Sequence, residues 1–246
     1  MTIACTAAIM LVTANGRYPR AGIGAFIDLA DKHGLALIED AAQSLGSRFP
    51  DGRHIGSVGK VGSFSFSVPK IITTGQGGCL ITNDDEIADR LRKLKDFGRA
   101  GGGTDIHQSI GYNFKFTDLQ ACVGVEQMKK LDWRIERKRE ILLKYRQALR
   151  AVAPVKFFDQ DLTNTTPWFI DILCERRADL QEHLKKRGIG TRVMYPPINK
   201  QQAYQRSGDH HVSGLIGQQG LWLPSSSKLT DQQIETVCES VAEFYN

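Results

Sequence analysis

The sequence lacks several features that mark common classes of protein. Its five cysteines are widely spaced and include no Cys-x-x-Cys pair, which argues against a disulfide framework and against a cysteine-ligated zinc site. No apolar run reaches the roughly 20 residues that a membrane helix requires. Residues 1–14 are apolar but have no basic start, so we interpret them as a buried strand region rather than a signal peptide. We therefore expect a cytoplasmic protein with no metal site and no membrane partner.

The chain also lacks the aromatic and basic pattern of a nucleic-acid-binding protein. Its formal net charge is +5, and the densest basic run is Arg134–Glu140. No aromatic residues interleave with that run to stack on bases, and an apolar stripe of helical spacing lies beneath it. The stripe consists of Ile135, Ile141, Leu142, Tyr145 and Leu149. We interpret the run as the solvated face of a long helix and expect no nucleic-acid partner.

Apolar runs alternate with helical patterns in the first half of the chain, which predicts an α/β domain. A helix ending at Gly34 precedes a strand over 35–40, and two further strands are predicted over 62–68 and 79–82. A capping box at residues 83–86 predicts the next helix, and Thr117 begins another that continues into the basic helix. These elements predict a large domain over residues 1–132.

The second half has fewer and shorter elements. Strands are predicted over 155–158 and 168–174, with a helix over 178–187 and a final helix capped by Thr230. Together with the basic helix, they predict a linking helix and a small α+β carboxyl-terminal domain over residues 133–246.

Lys70 is the only charged residue between Val61 and Asn83. The alternating run Ser63–Ser67 before it is typical of a strand with one apolar face, and Pro69 is expected to end that strand. An ammonium group with little water and no neighbouring carboxylate has a lowered pKa, as imine-forming lysines require. The alternative is a lysine that extends its ammonium group from a strand end into solvent.

Asp40 favours the first interpretation of Lys70. It ends a short apolar strand, and the small polar residues that follow, 41–47, suit the wall of a site. Ligands of α/β proteins bind at the carboxyl ends of parallel strands, so Asp40 and Lys70 can meet in one crevice. A lysine, a carboxylate and nearby hydroxyls suit pyridoxal 5'-phosphate, which needs an imine partner, an anion at its ring nitrogen and phosphate donors.

Four ordered motifs resemble those of the DegT/DnrJ/EryC1/StrS sugar aminotransferases, from about Asn15 to the end of the chain. They are Glu39-Asp40-Ala41-Ala42-Gln43, Ser63-Phe64-Ser65-Phe66 with Lys70, Thr73-Thr74-Gly75-Gln76-Gly77-Gly78, and Gly111-Tyr112-Asn113 with the residues to Gln120. The resemblance implies the aspartate-aminotransferase-like fold type I of pyridoxal-phosphate enzymes. Within the family, the chain is most similar to the perosamine synthase branch, which aminates the 4-keto group of a GDP-linked 6-deoxyhexose.

The resemblance also implies a role for particular residues. Lys70 would hold the cofactor covalently and carry the proton, and Asp40 would pair with the ring nitrogen. Gln43 would lie against the ring and its 3-hydroxyl, and Ser65 would bind the phosphate. Asn113 would reach the phosphate held by the neighbouring subunit, which implies a homodimer. Tyr195, in the aromatic-Pro-Pro loop, is a candidate for contact with the sugar nucleotide.

The function implied is transfer of an amino group from L-glutamate to a nucleotide-linked 4-keto-6-deoxy sugar, for cell-surface polysaccharide or glycoconjugate biosynthesis. A related branch removes a hydroxyl group instead and has a histidine in place of the lysine, so Lys70 favours transamination over this deoxygenating alternative. Family members have a longer amino-terminal part with a Gly-Thr or Gly-Ser turn for the phosphate, and no such turn precedes Asp40. We therefore expect a large domain incomplete at its amino end, and a second alternative is an inactive truncated dimerisation partner.

Overall fold

The computed structural model describes residues 6–204 and 208–246, which form two compact units. The first unit comprises the chain up to Ile135 together with Asp161–Thr166, and the second comprises Glu136–Gln160 and Pro167–Asn246. In the described ranges, no helix combines the length and the apolar character needed to cross a bilayer. The functional division at residues 132/133 stays a prediction.

A four-stranded mixed sheet organises the first unit. Its strands are β1 (Ala8–Val12), β2 (Ala36–Asp40), β3 (Val61–Ser65) and β4 (Gly78–Ile81), in the spatial order β1-β2-β3-β4. The first three are parallel and β4 is antiparallel to β3. Because the register pairs Val12 with Asp40 and Asp40 with Ser63, the carboxyl ends of three strands meet at one edge of the sheet.

Helix α1 (Gly22–His33) contributes to the core beneath this sheet. It ends at Gly34, whose φ of 63° is left-handed and favours glycine, as the sequence predicted. Apolar side chains from the helix, from the strands and from the residues after β2 form the core. The buried members are Leu11, Ile23, Ala30, Leu37, Ala41, Phe49 and Ile55.

The prediction of a buried strand region over residues 1–14 is correct only for one face of β1. Leu11 packs in the core, but Met10 and Val12 on the other face are 64% and 53% exposed. Alternate side chains of a strand point to opposite faces, so an apolar run does not itself show that both faces are covered. Residues 1–5 lie outside the described ranges.

Most of the predicted strands and helices have bounds in the structure that differ by one to three residues, and the larger differences lie after β3 and in the helices after Thr117. β3 ends at Ser65 rather than Val68, because the chain turns there and the Lys70 N–H donates to Ser67 O at 3.1 Å. β4 begins at Gly78 rather than at residue 79. The single helix expected from Thr117 onward is two helices, α3 (Asp118–Met128) and α4 (Leu131–Ala148), preceded along the chain by α2 (Asp85–Lys95).

The capping and burial patterns of these helices agree largely with the sequence. Thr117 and Gln120 form a capping box at α3. At α2 the N-cap is Asp84, whose side chain accepts from the Ile87 N–H, so the capping box predicted over residues 83–86 is not formed. The apolar stripe of α4 is buried, with Tyr145 and Ile141 fully inaccessible. In contrast, α3 buries none of its side chains, and Leu119 is 78% exposed.

The second unit contains an antiparallel four-stranded sheet of order β5-β6-β8-β7. Its strands are β5 (Val155–Phe157), β6 (Ile170–Cys174), β7 (Arg192–Val193) and β8 (Gly220–Leu223). Its helices, besides most of α4, are α5 (Arg177–Lys186), α6 (His211–Gln219) and α7 (Asp231–Tyr245). This arrangement confirms the small α+β part expected from the sequence.

Lys138, which the sequence placed on the solvated face of the basic helix, is instead buried at 7% exposure. Its Nζ donates to Trp168 O at 2.5 Å and to Ser225 O at 2.6 Å. Burial lowers the pKa of Lys138 to about 7. The run Arg134–Glu140 is therefore not wholly a solvated face, because one of its cations holds two backbone carbonyls inside the second unit.

Candidate active site

Three strand ends of the first unit carry polar side chains at the same edge of the sheet. Thr13 follows β1, Asp40 ends β2, and Ser65 ends β3. The Thr13 N–H donates to Asp40 O at 3.1 Å, and the Ala41 N–H donates to Ser63 O at 2.9 Å, so the three chain segments remain aligned beyond the sheet. This is the edge at which open α/β sheets bind ligands.

Lys70 lies five residues beyond the end of β3, in the loop that leads to β4. The loop is held at its base, where the Phe66 N–H donates to Gly77 O at 2.8 Å and Phe66 O accepts from the Thr74 N–H at 2.9 Å. Arg134 Nη1 donates to Ile71 O at 2.9 Å, next to the lysine. These contacts fix the backbone on both sides of Lys70, and a fixed backbone is what a covalent cofactor anchor requires.

The charge of Asp40 influences the pKa of Lys70. Burial lowers the pKa of the Lys70 ammonium, and the negative charge of Asp40 partly opposes this effect. The opposing effect requires the two side chains to lie within electrostatic reach of one another. The charge of Asp40 therefore acts on Lys70, although the two residues are thirty positions apart in the sequence.

Asp40 has one carboxylate oxygen engaged within the protein. Its Oδ1 accepts from the Ala42 N–H at 3.0 Å, and Oδ2 accepts from none of the described residues. The side chain is half-buried, whereas its neighbour Glu39 points to the opposite face and is fully buried. Asp40 can thus accept a hydrogen bond from a protonated ring nitrogen.

Gln43 is oriented by the turn that follows β1. Its Oε1 accepts from the Asn15 N–H at 2.7 Å, which leaves the NH2 group as the donor of the side chain. Asn15 itself is 6% exposed and has a left-handed backbone conformation, with φ 54° and ψ 32°.

Ser65 lies in a group of hydroxyls at the end of β3. Its Oγ donates to Ser67 Oγ at 3.2 Å, and the Ser67 N–H points to Ser65 Oγ at 3.4 Å. Two hydroxyls and a backbone N–H close together can donate to the oxygens of a phosphate group.

Two of the predicted site residues are not joined to this group by any contact among the described residues. Asn113 lies on an exposed segment of the first unit, where it forms an isolated bridge with Asp96. Tyr195 belongs to the second unit, is 55% exposed and packs edge-to-face on Trp222 with ring centroids 5.0 Å apart. Their roles stay predictions.

The sequence reasoning assigned no role to three residues that support the site. Thr13 and Ser44 are 1% exposed and hydrogen-bonded to each other, with Ser44 Oγ 2.6 Å from Thr13 O. Glu39 accepts three backbone N–H groups from the loop before β3. Asn-Gly is a dipeptide typical of turns, so the pair Asn15-Gly16 could have indicated the turn after β1, but no sequence pattern indicates its hydrogen-bond partners elsewhere in the chain.

The residues at this edge fit pyridoxal 5'-phosphate. The amine of Lys70 is shifted toward its neutral form, and Asp40 has a carboxylate oxygen that no described residue occupies. Gln43 has a donor NH2 group, and Ser65 and Ser67 supply phosphate donors. A fold with parallel strands ending in these groups defines an α/β protein of the type that binds pyridoxal phosphate.

The family follows from comparison with known proteins. The DegT/DnrJ/EryC1/StrS aminotransferase family model matches residues 3–242, and the chain belongs to this family. Aminotransferases of this family depend on pyridoxal 5'-phosphate, and the fold class expected from the sequence is confirmed.

Three similar proteins illustrate the relation. The GDP-perosamine synthase of Escherichia coli O157:H7 is 34% identical over 224 residues, which are 89% of this chain and 61% of that protein. The GDP-perosamine synthase of Vibrio cholerae is 30% identical over 249 residues, covering 98% of this chain and 67% of its own. S. venezuelae DesV, solved in complex with a ketimine intermediate, has 30% identity and a TM-score of 0.90, covering 100% of this chain and 67% of its own. The chain thus spans about two thirds of the length of these relatives.

Proposed function

We propose that this chain carries the catalytic residues of an aminotransferase that moves an amino group from L-glutamate to a nucleotide-linked 4-keto-6-deoxy sugar. The proposal depends chiefly on one observation, the half-buried Lys70 amine within electrostatic reach of Asp40 at the carboxyl edge of a parallel sheet. The names of the relatives support a sugar nucleotide as the substrate. A cytoplasmic location and a role in polysaccharide or glycoconjugate synthesis belong to the same proposal.

Each side chain has a defined task in this reaction. Bound pyridoxal phosphate supplies the electron-withdrawing ring that makes a carbon–hydrogen bond of the substrate acidic. Lys70 is suited to attack a carbonyl and to accept and return a proton at Nζ, because burial favours its neutral form. Asp40 Oδ2 would hold the ring nitrogen protonated, and Ser65 with Ser67 would orient the phosphate.

Lys70 also separates this proposal from the deoxygenating alternative. The deoxygenating branch has a histidine at the corresponding position, and a histidine cannot attach the cofactor covalently. A lysine can both attach the cofactor and carry the proton, so the residue present favours transamination. The third possibility, an inactive dimerisation partner, requires that the chain does not hold the cofactor.

Incubation with 15N-glutamate, pyridoxal phosphate and a panel of GDP- and dTDP-linked 4-keto-6-deoxy sugars tests the reaction. We expect mass spectrometry to detect one 15N atom in an amino sugar nucleotide and 2-oxoglutarate in equal amount, because the amino group is transferred and not released. A product that has lost a hydroxyl without gaining nitrogen would support the deoxygenating alternative. Cofactor binding without any product would contradict the proposed substrate class.

We further propose that the active form is a homodimer in which Asn113 acts on the partner's site. Asn113 is exposed, and large apolar side chains around it are exposed as well, as expected of a surface that pairs with a second copy. They include Ile110, Tyr112, Phe114, Phe116 and Leu119.

A mixture of Lys70→Ala and Asn113→Ala chains tests the action of Asn113 in trans. Each variant alone is expected to be inactive or strongly impaired, but a mixed dimer contains one site with both native residues. After the subunits are exchanged in equal amounts, we expect activity to recover to about one quarter of the wild-type value, since half of the dimers are mixed and each has one intact site. Activity no higher than the mean of the two separate variants would show that Asn113 acts within its own chain or not at all.

A further inference from the structure

The turn after β1 is linked to the proposed cofactor site through a short chain of hydrogen bonds. Ser44, just past Gln43, places its Oγ 2.6 Å from Thr13 O and 2.7 Å from Thr13 Oγ1. Thr13 in turn is tied to the end of β2, because its N–H and its hydroxyl both donate to Asp40 O, at 3.1 and 3.2 Å. Ser44 therefore connects the segment after β2, which also carries Gln43, to Thr13 at the start of the turn.

The backbone of the turn presents one N–H group to Gln43. Asn15 is in the left-handed region, and Gly16 follows with φ 80°. A Cβ atom at Gly16 would lie 2.1 Å from Thr166 O, so the turn is also confined by its packing. In this conformation the Asn15 N–H points to Gln43 Oε1 at 2.7 Å.

The contact determines which end of the Gln43 amide is available to a ligand. A backbone N–H can bond only to an acceptor, so it selects Oε1 and leaves Nε2 on the other side of the amide. None of the described residues accepts from Nε2. Gln43 therefore presents its Nε2 group as a hydrogen-bond donor to a bound molecule, and the partner of this NH2 group must be an acceptor such as an anionic oxygen.

We propose that Ser44 is a positioning residue, which holds the turn over residues 13–16 so that the Asn15 N–H fixes Gln43 as a donor to an anionic oxygen of the cofactor. The inference builds on the proposed function, from which it takes the cofactor. It adds the contacts that orient Gln43. The hydroxyl of Ser44 is required for this orientation, although it is buried and, among the described residues, contacts only Thr13.

Hydrogen exchange of the Asn15 amide tests whether these contacts hold the turn, and it needs no cofactor. In the wild-type chain we expect slow exchange at Asn15, and in both Ser44→Ala and Gln43→Leu an increase of about tenfold or more. Gln43→Leu removes the acceptor of this N–H, and Ser44→Ala removes the contact to Thr13 that holds the turn. Ser240→Ala is the matched control, since Ser240 is also buried and donates its hydroxyl to a backbone carbonyl, Thr236 O, at 2.8 Å. Wild-type exchange at Asn15 in Ser44→Ala would overturn the inference.

The cofactor-bound chain gives a second readout. A donor to the 3-oxygen of the ring stabilises its anion, so we expect Gln43→Leu to raise, by about one pH unit, the pH at which the visible absorption of the lysine-bound cofactor changes. Ser44→Ala should shift this pH in the same direction at full cofactor loading, and Ser240→Ala should leave it unchanged. An unshifted transition in Ser44→Ala would contradict the positioning role.

The two readouts distinguish failure of this inference from failure of the proposed function. If the wild-type chain shows a protected Asn15 amide but binds no pyridoxal phosphate, the proposed function is wrong and the link to a cofactor oxygen fails with it. If the chain binds the cofactor through Lys70 while Ser44→Ala behaves as the wild type in both experiments, only the positioning role is wrong.

Discussion

Replacement of Lys70 by alanine is expected to abolish the visible absorption that the purified chain acquires with pyridoxal phosphate. The absorption arises from a covalent bond to a lysine amine. Burial lowers the pKa of Lys70, which is also influenced by the charge of Asp40. Burial lowers the pKa of Lys138 as well, but its Nζ is enclosed in the second unit and donates to two backbone carbonyls. Amino transfer should fall by at least about 10³-fold, because the same group attaches the cofactor and moves the proton. Absorption spectra and 15N transfer measure the two effects separately.

A neighbouring lysine provides the control for this experiment. Lys60 precedes β3 and is exposed. Its backbone carbonyl accepts from Thr82 Oγ1 at 2.6 Å, and this hydrogen bond does not depend on the lysine side chain. Lys60→Ala should therefore retain the absorption of the wild type. Borohydride reduction followed by peptide mapping should place the cofactor mass on the peptide with Lys70, and a label on any other lysine would contradict the assignment.

The sequence alone indicates two of the candidate site residues, Lys70 and Asp40, because their chemistry is unusual for their surroundings. Lys70 is an isolated charge in a long uncharged segment, and Asp40 ends an apolar strand. The parallel arrangement of β1, β2 and β3 then follows from the alternation of strands and helices. These local signals do not depend on which distant residues come into contact.

The supporting contacts could not be predicted because they join residues that are far apart in the chain. Ser44 bonds to Thr13, and Arg134 donates to Ile71 O, across separations of 31 and 63 positions. Neither pair has a periodicity or a motif that indicates its partner. The break between α3 and α4 is likewise not evident from the sequence, since Lys129 and Lys130 are good helix formers.

The different roles of Glu39 and Asp40 are also not evident from the sequence, where the two acidic residues are adjacent. Adjacent residues of a strand point to opposite faces, and the structure assigns the two carboxylates to different tasks. Asp40 faces the site, whereas Glu39 is completely buried and faces the core that contains Leu37. Only the direction of each side chain separates a site residue from a structural one.

Glu39 holds the loop before β3 through its two carboxylate oxygens. Oε2 accepts from the Gly56 N–H at 2.8 Å, and Oε1 accepts from the N–H groups of Val58 and Gly59 at 2.6 and 2.7 Å. The loop lies so close to the sheet that a Cβ at Gly62 would be 1.7 Å from Gly56 O. The carboxylate thus satisfies one buried and two partly buried donors at the point where the chain enters the strand that leads to Ser65 and Lys70.

Substitution of Glu39 by alanine is expected to lower the free energy of unfolding of the first unit by about 3–5 kcal/mol. Three backbone donors would lose their acceptor, one of them buried and two partly buried, and each unsatisfied buried donor costs about 1–3 kcal/mol. Glu39→Gln should cost less, since the amide oxygen can still accept while the NH2 group opposes the remaining N–H groups. Urea unfolding followed by hydrogen exchange at Gly56, Val58 and Gly59 measures the effect within this loop.

Substitution of an exposed glutamate is the control for the loss of a carboxylate as such. Glu182 on α5 is exposed and lies 3.8 Å from Lys186, so Glu182→Ala should change stability by less than about 0.5 kcal/mol. If Glu39→Ala unfolds the chain in the cell, Glu39→Gln remains measurable and should show faster exchange at the three amides than the wild type. Unchanged exchange in Glu39→Gln would mean that the loop is held by its packing alone. Faster exchange together with a weakened lysine-bound cofactor signal would show that this buried carboxylate sets the position of β3 and, through it, of Lys70.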